Sequence, residues 1–172
     1  MLKLLGAMLI LLAGTLFGFY QASQLSRRPR QIADLIRMLQ RLETEIVYGF
    51  TPLPDALRRA ARADDSPAGA LFTAAAEELG KPGGRSVQAV WEQVVSRGWK
   101  TTSMKAAERD ILLQLGSTLG LTDRDDQVKH LRLTVSSLQG EADIARDERE
   151  RYERMWKSLG LLMGALVVIL MY

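Results

Sequence analysis

The sequence has no cysteine. That excludes a disulfide framework, a thiolate metal site, a cysteine nucleophile and a lipidated cysteine anchor. Histidine is nearly absent too, with His130 standing alone. A histidine pair at metal-ligand spacing is therefore impossible. His130 lies between Lys129 and the apolar Leu131, where a lone histidine reads as a surface or edge residue. No nucleophile elbow is present, and no Ser-His-Asp set follows from one such histidine. Aromatic residues make up 6% and net charge is +3. Aromatics do not interleave with basic runs, so nucleic-acid binding has no support. No segment alternates apolar and polar residues between hairpin turns, which removes the sheet classes.

The remaining polar clusters have plainer explanations than chemistry. Asp123, Asp125 and Asp126 put negative charge on the first turn of a helix, where the dipole favours it. An EF-hand needs a longer ligand ladder with a central glycine. Lys81-Pro82-Gly83-Gly84-Arg85 departs from the phosphate-loop pattern and follows no strand, so it reads as a linker. Glu43 and Glu45 are two residues apart on a helix and face different ways, which argues against a paired acid and base. The mixed charges of 141–157 read as a solvated helix face, with Asp147–Arg151 and Glu150–Arg154 at supporting spacing. No cofactor and no small-molecule substrate is expected.

What is present is helical periodicity. Ile32, Leu35, Leu39, Leu42 and Ile46 alternate three and four, which predicts a helix over about 30–49 begun at Pro29 and stopped by Gly49. Thr51-Pro52-Leu53-Pro54 turns into a short helix over about 54–63, with Arg58, Arg59 and Arg62 on its outer side. Ser66 and Pro67 read as N-cap and first turn of a third helix ending near Gly80. Ser86 caps a fourth, with Val87, Val90, Trp91, Val94 and Val95 inward and Gly98 as its stop. A fifth, about 103–119, is expected to bury Ala107, Ile111, Leu112, Leu115 and Leu119 before Gly120. Thr122 opens a sixth, with Asp125 completing a capping box. Its stripe runs Val128, Leu131, Val135, Leu138, Ala142, Ala145, Tyr152 and Trp156, broken at Arg149. Six helices on short loops predict an all-α fold, a small antiparallel bundle over 27–157.

Both ends of the chain are apolar. Leu4–Ser26 holds no charge over 23 residues. As a helix it reaches about 34 Å, enough for the ~30 Å hydrocarbon core. A cleaved signal peptide wants a stronger basic start and a better cleavage site than Tyr20-Gln21-Ala22-Ser23. Residues 1–26 are therefore expected to be an anchoring transmembrane helix. Residues 158–172 reach about 22 Å and are expected to span or to embed in the membrane. Gly14 with Gly18 and Gly160 with Gly164 have the spacing that lets membrane helices approach closely. Arg27, Arg28 and Arg30 on one side, and Arg154, Trp156 and Lys157 on the other, are expected at the membrane interface. Their charge places the bundle in the cytoplasm by the positive-inside rule.

Several motifs together resemble the stage III sporulation protein AB family of endospore-forming bacteria. They are Met1–Gly6 (MLKLLG), Arg28-Pro29-Arg30-Gln31-Ile32, the stretch Leu42–Gly49 with Thr51-Pro52-Leu53, Trp91-Glu92, Leu119-Gly120 with Asp123-Arg124, Gln127 with His130, and Met155–Gly160. The resemblance runs the length of the chain. It implies a non-enzymatic component of a secretion-like complex in the mother-cell membrane around the forespore, on which late forespore gene expression depends. That family is similar to the inner-membrane platform proteins of type II secretion and type IV pilus machines, which show helical bundles to a hexameric ATPase. The implied partners are the complex's own ATPase (stage III sporulation protein AA), the complex's other membrane components and membrane lipid. Platforms usually carry two cytoplasmic bundles and this chain has one, so self-assembly is an added expectation. The expected contact surface is Glu43, Glu45, Tyr48, Gly49, Thr51, Pro52 and Leu53, where polar groups gather at a helix end and a tight turn. The competing expectations are a membrane-tethered signalling or adaptor bundle, and an enzyme acting on lipid headgroups.

Overall fold

The computed structural model describes residues 27–49, 51–62, 64–120 and 123–171, with the backbone alone at 157, 160, 161 and 163–171. Among these, six α-helices and one 3-10 turn appear, and no strand. They are α1 (27–48), α2 (Leu53–Ala60), α3 (Pro67–Leu79), α4 (Val87–Gly98), the 3-10 turn Trp99–Thr101, α5 (Ala106–Gly116) and α6 (Arg124–Met171). The expected N-terminal span, with Gly14 and Gly18, lies outside the described residues. Among the described residues no helix is long and apolar enough to cross a membrane.

The chain divides into two compact units, Arg28–Asp143 and Ile144–Tyr172 with Met1–Arg27. In the first, α2 packs on α3, α3 on α4 and α4 on α5. Short loops make each of these a sequential neighbour. Two ion pairs give the register of α1 on α6. Arg28 meets Glu141 and Glu43 meets Arg132, so the two helices run antiparallel.

Local chemistry explains where the helices begin. The Ser66 hydroxyl accepts from Gly69 N at 3.1 Å, and the Ser86 hydroxyl from Ala89 N at 3.2 Å. Each satisfies one of the orphan donors of a helix start. Gly120 adopts φ +78°, a left-handed turn that glycine takes without strain. Gly98 ends α4 as expected, and does so with its backbone still right-handed at φ −78°. The reason for glycine is packing: a Cβ there would lie 2.4 Å from Leu71 Cδ2.

The core follows most of the predicted stripes, but Ile46 and Val128 are only half-buried and Tyr152 is exposed. Ile32, Leu35, Leu39 and Leu42 of α1 are wholly buried, together with Met38. Leu131, Val135, Leu138, Ala142 and Ala145 of α6 are buried as expected. Trp91 is the pivot of the α3–α4–α5 packing. Its ring meets Phe72 edge-on at 5.7 Å, and its Nε1 donates to the Leu112 carbonyl at 2.7 Å. That bond satisfies the one polar atom of a residue otherwise committed to the core.

Helix α5 corrects the sequence reading. It spans Ala106–Gly116, shorter than 103–119. Ala107 is exposed and Glu108 is wholly buried. The inward stripe is Glu108, Leu112, Leu115 and Leu119, one residue out of phase with the expected start. In α6, Thr122 is outside the described residues and the helix begins at Arg124, with Gln127 N donating to Asp123 O at 2.9 Å.

Candidate functional site

Two charged clusters stand out in the bundle unit, and α1 contributes to both. At its beginning, the Arg28 guanidinium lies 2.7 Å from Glu108 Oε1 and 3.0 Å from Glu141 Oε2. The other oxygen of Glu108 accepts from Lys105 N at 2.9 Å. Three residues along, Gln31 Oε1 accepts from Ser103 N at 2.6 Å. One turn of α1 thus binds the α5 entry and the middle of α6. Arg28 is 6% exposed and Glu108 0%. A charge taken that far from water needs such partners. Arg28 was expected among membrane headgroups; the structure spends its charge inside the bundle instead. Arg27, Arg30 and Arg154 are exposed, Trp156 is half-buried, and the Lys157 side chain is outside the described residues.

At the other end of α1 the polar groups face solvent. Glu43 Oε1 accepts from Arg132 Nε at 2.7 Å. Glu45 Oε2 accepts from Arg59 Nη1 at 3.2 Å and from Thr51 Oγ1 at 3.3 Å. The structure therefore joins the predicted carboxylates to different neighbours, Glu43 to α6 and Glu45 to α2 and the turn. Gly49 N donates to Glu45 O at 2.9 Å and closes the helix. A Cβ on Gly49 would come within 2.5 Å of Thr51 Oγ1 and 2.6 Å of Glu45 O, so the turn needs glycine for closeness. Pro52 O then accepts from Asp55 N and Ala56 N, both at 2.9 Å, and starts α2. Pro52 is exposed, while Thr51 and Leu53 are half-buried. Tyr48 is 80% exposed, the largest exposure among the large apolar side chains of the described residues.

The first turns of α6 complete this end of the bundle. Thr51 and Leu53 line a 270 Å³ recess with Ile46, Gly120, Arg124 and Gln127. Sequence reasoning missed the α6 contribution. It also missed Glu108 and Glu141. Glu108 was detectable as a carboxylate in phase with Leu112 and Leu115, but its partner 80 residues away was not.

No group of three or more metal-ligating side chains occurs among the described residues. His130 is half-buried and its carbonyl accepts from Thr134 Oγ1 at 2.9 Å. What this end of the bundle offers is a surface for contact: a projecting aromatic ring, paired charges and a fixed turn.

Comparison with known proteins agrees with this architecture. The family described as Stage III sporulation protein AB matches residues 3–172. Stage III sporulation protein AB of Bacillus subtilis (strain 168) is 42% identical over 171 residues, covering 99% of each chain. A solved structure of a Stage III sporulation protein AB superimposes with a TM-score of 0.68 at 39% identity, covering 73% of this chain and 98% of that one. Sequence motifs, helical architecture and full-length similarity thus converge, and the chain belongs to the stage III sporulation protein AB family.

Proposed function

We propose that this sporulation protein is a membrane platform component that presents its helical bundle to the secretion-type ATPase of its complex, stage III sporulation protein AA. The Tyr48 end of the bundle is the contact surface. The observation that carries this reading is Tyr48 itself, 80% exposed between Glu43, Glu45 and the Gly49–Leu53 turn. A large aromatic ring left in water, with charged groups around it, is the composition of an interface anchor. In this reading residues 1–26 and 158–172 hold the chain in the mother-cell membrane around the forespore, with the bundle in the cytoplasm. Arg27, Arg30, Arg154, Trp156 and Lys157 meet the lipid surface. The assembled complex then supports late forespore gene expression, and the chain contributes contact and not catalysis.

The test joins topology to binding. The chain lacks cysteine, so a single introduced thiol reports its own side of the membrane. Ser103→Cys is expected to resist an impermeant reagent in intact cells, and Tyr172→Cys to react. Full-length protein in lipid nanodiscs is then titrated with the ATPase. Saturable binding supports the platform. Labelling of Ser103→Cys from outside would remove a cytoplasmic ATPase from contention.

A further inference from the structure

We infer that the groove between the end of α1 and the first turns of α6 seats a segment of a partner protein that carries an apolar side chain beside a carboxylate. The inference deepens the proposed contact surface and rests on it. The groove has a volume of about 680 Å³. Val47 of α1 forms part of one wall, and six residues of α6 form the other in two rows spaced by four: Arg124, Val128 and Arg132, then Asp125, Lys129 and Leu133. Residues four apart stand on one helix face, so both rows look into the same space.

The fold leaves the aliphatic residues among these incompletely covered. Leu133 is 56% exposed and stands apart from the buried stripe of Leu131, Val135 and Leu138. Val47 and Val128 are half-buried. The groove therefore has three aliphatic side chains in partial contact with water.

Charge selects the occupant. Three cations line the groove, against Asp125 and the neighbouring Glu43. Glu43 already answers Arg132 at 2.7 Å. Asp125 sits on the first turn of α6, where the helix dipole accounts for it. Lys129 is exposed and has no charged partner among the described residues. A carboxylate is its complement, and an adjacent apolar side chain fills the space over Val47, Val128 and Leu133. A free anion leaves the aliphatic wall uncovered. A flat anionic bilayer meets the carboxylates of Asp125 and Glu43 and does not enter a concave seat.

The experiment places a photoreactive residue, p-benzoylphenylalanine, at Leu133 of the full-length chain in sporulating cells, and sequences the cross-linked peptide. The expected product is one protein segment with an apolar residue within a helical turn of an Asp or Glu. Lys129→Glu is expected to lower the yield about tenfold, through lost attraction and new repulsion, and Lys129→Arg to preserve it. Both positions are exposed, and an unchanged helical spectrum verifies the fold of each variant. A cross-link only to lipid, to a second copy of this chain or to a basic segment overturns the inference. So does an absent cross-link, or a yield indifferent to Lys129→Glu. If the segment has the expected chemistry but comes from a protein other than the ATPase, the groove assignment stands and the ATPase reading falls. If the ATPase binds in nanodiscs while the Leu133 probe captures nothing, the reverse holds.

Discussion

At the beginning of α1, Arg28 is 6% exposed and shares its charge between Glu108 and Glu141. Some 15 residues later on the same helix, Glu43 and Glu45 meet Arg132 and Arg59 in reach of water, beside an exposed Tyr48. Both clusters join α1 to α6, and both fall in stretches by which the chain resembles its family. Burial separates their tasks. An ionic group inside the bundle has lost its water and depends on its partners, so it fixes geometry. An ionic group at the surface is screened and individually weak, and can be shared with an incoming protein.

This contrast can be broken at several points. The largest effect is expected from Glu108→Ala, which strips the buried Arg28 of its wholly buried carboxylate partner. The loss should be about 3–5 kcal/mol, measured by urea unfolding in detergent. By contrast, removing the surface pair with Glu43→Gln should cost no more than about 1 kcal/mol.

Two glycines sharpen the same contrast. A Cβ on Gly116 would stand 2.2 Å from Trp91 Cδ1, in a packed core. Gly116→Ala should therefore cost about 1–3 kcal/mol, seen as a lower melting temperature. Gly49→Ala meets Thr51 and Glu45 at an open helix end, which can shift. Its expected signature is a smaller stability loss with a displaced 49–53 turn, read by amide exchange.

Acid supplies the smallest effect. Asp64 is held below the ordinary aspartate range, first by the Ser66 hydroxyl, with further help from the Ser66 N–H, Arg37 and Arg41 and with desolvation opposing. Its folded value is the lower one. The stabilisation is thus complete above the unfolded value and lost as pH falls through the folded one. Asp64→Asn should flatten a shallow slope of stability near and below the normal aspartate range, without altering stability trends at neutral pH.

Much of this fold was legible in the chain. Most of the α1 and α6 stripes and the Ser66 and Ser86 caps follow from spacing and local hydrogen bonding. Helix ends were less so. Helix α5 was expected to run on to Gly120 and ends at Gly116 instead. The site was legible in part. The run from Glu43 to Leu53 was recognisable because a polar helix end meets a proline turn. Its α6 half was not, since nothing in the sequence says that Arg132 lies opposite Glu43. Arg28 was misplaced for the same reason: its arginine-rich neighbourhood pointed to lipid, while its partners lie 80 and 113 residues away.

The central claim is that the exposed end of α1 serves recognition and the buried end serves the fold. Tyr48→Ala tests it most directly, because a side chain 80% exposed has little to lose in folding. Full-length protein in nanodiscs is titrated with the ATPase, beside a melt of the same sample. The account predicts an unchanged melting temperature and an affinity about tenfold weaker, as for an aromatic anchor. Unchanged affinity in a folded variant would contradict it.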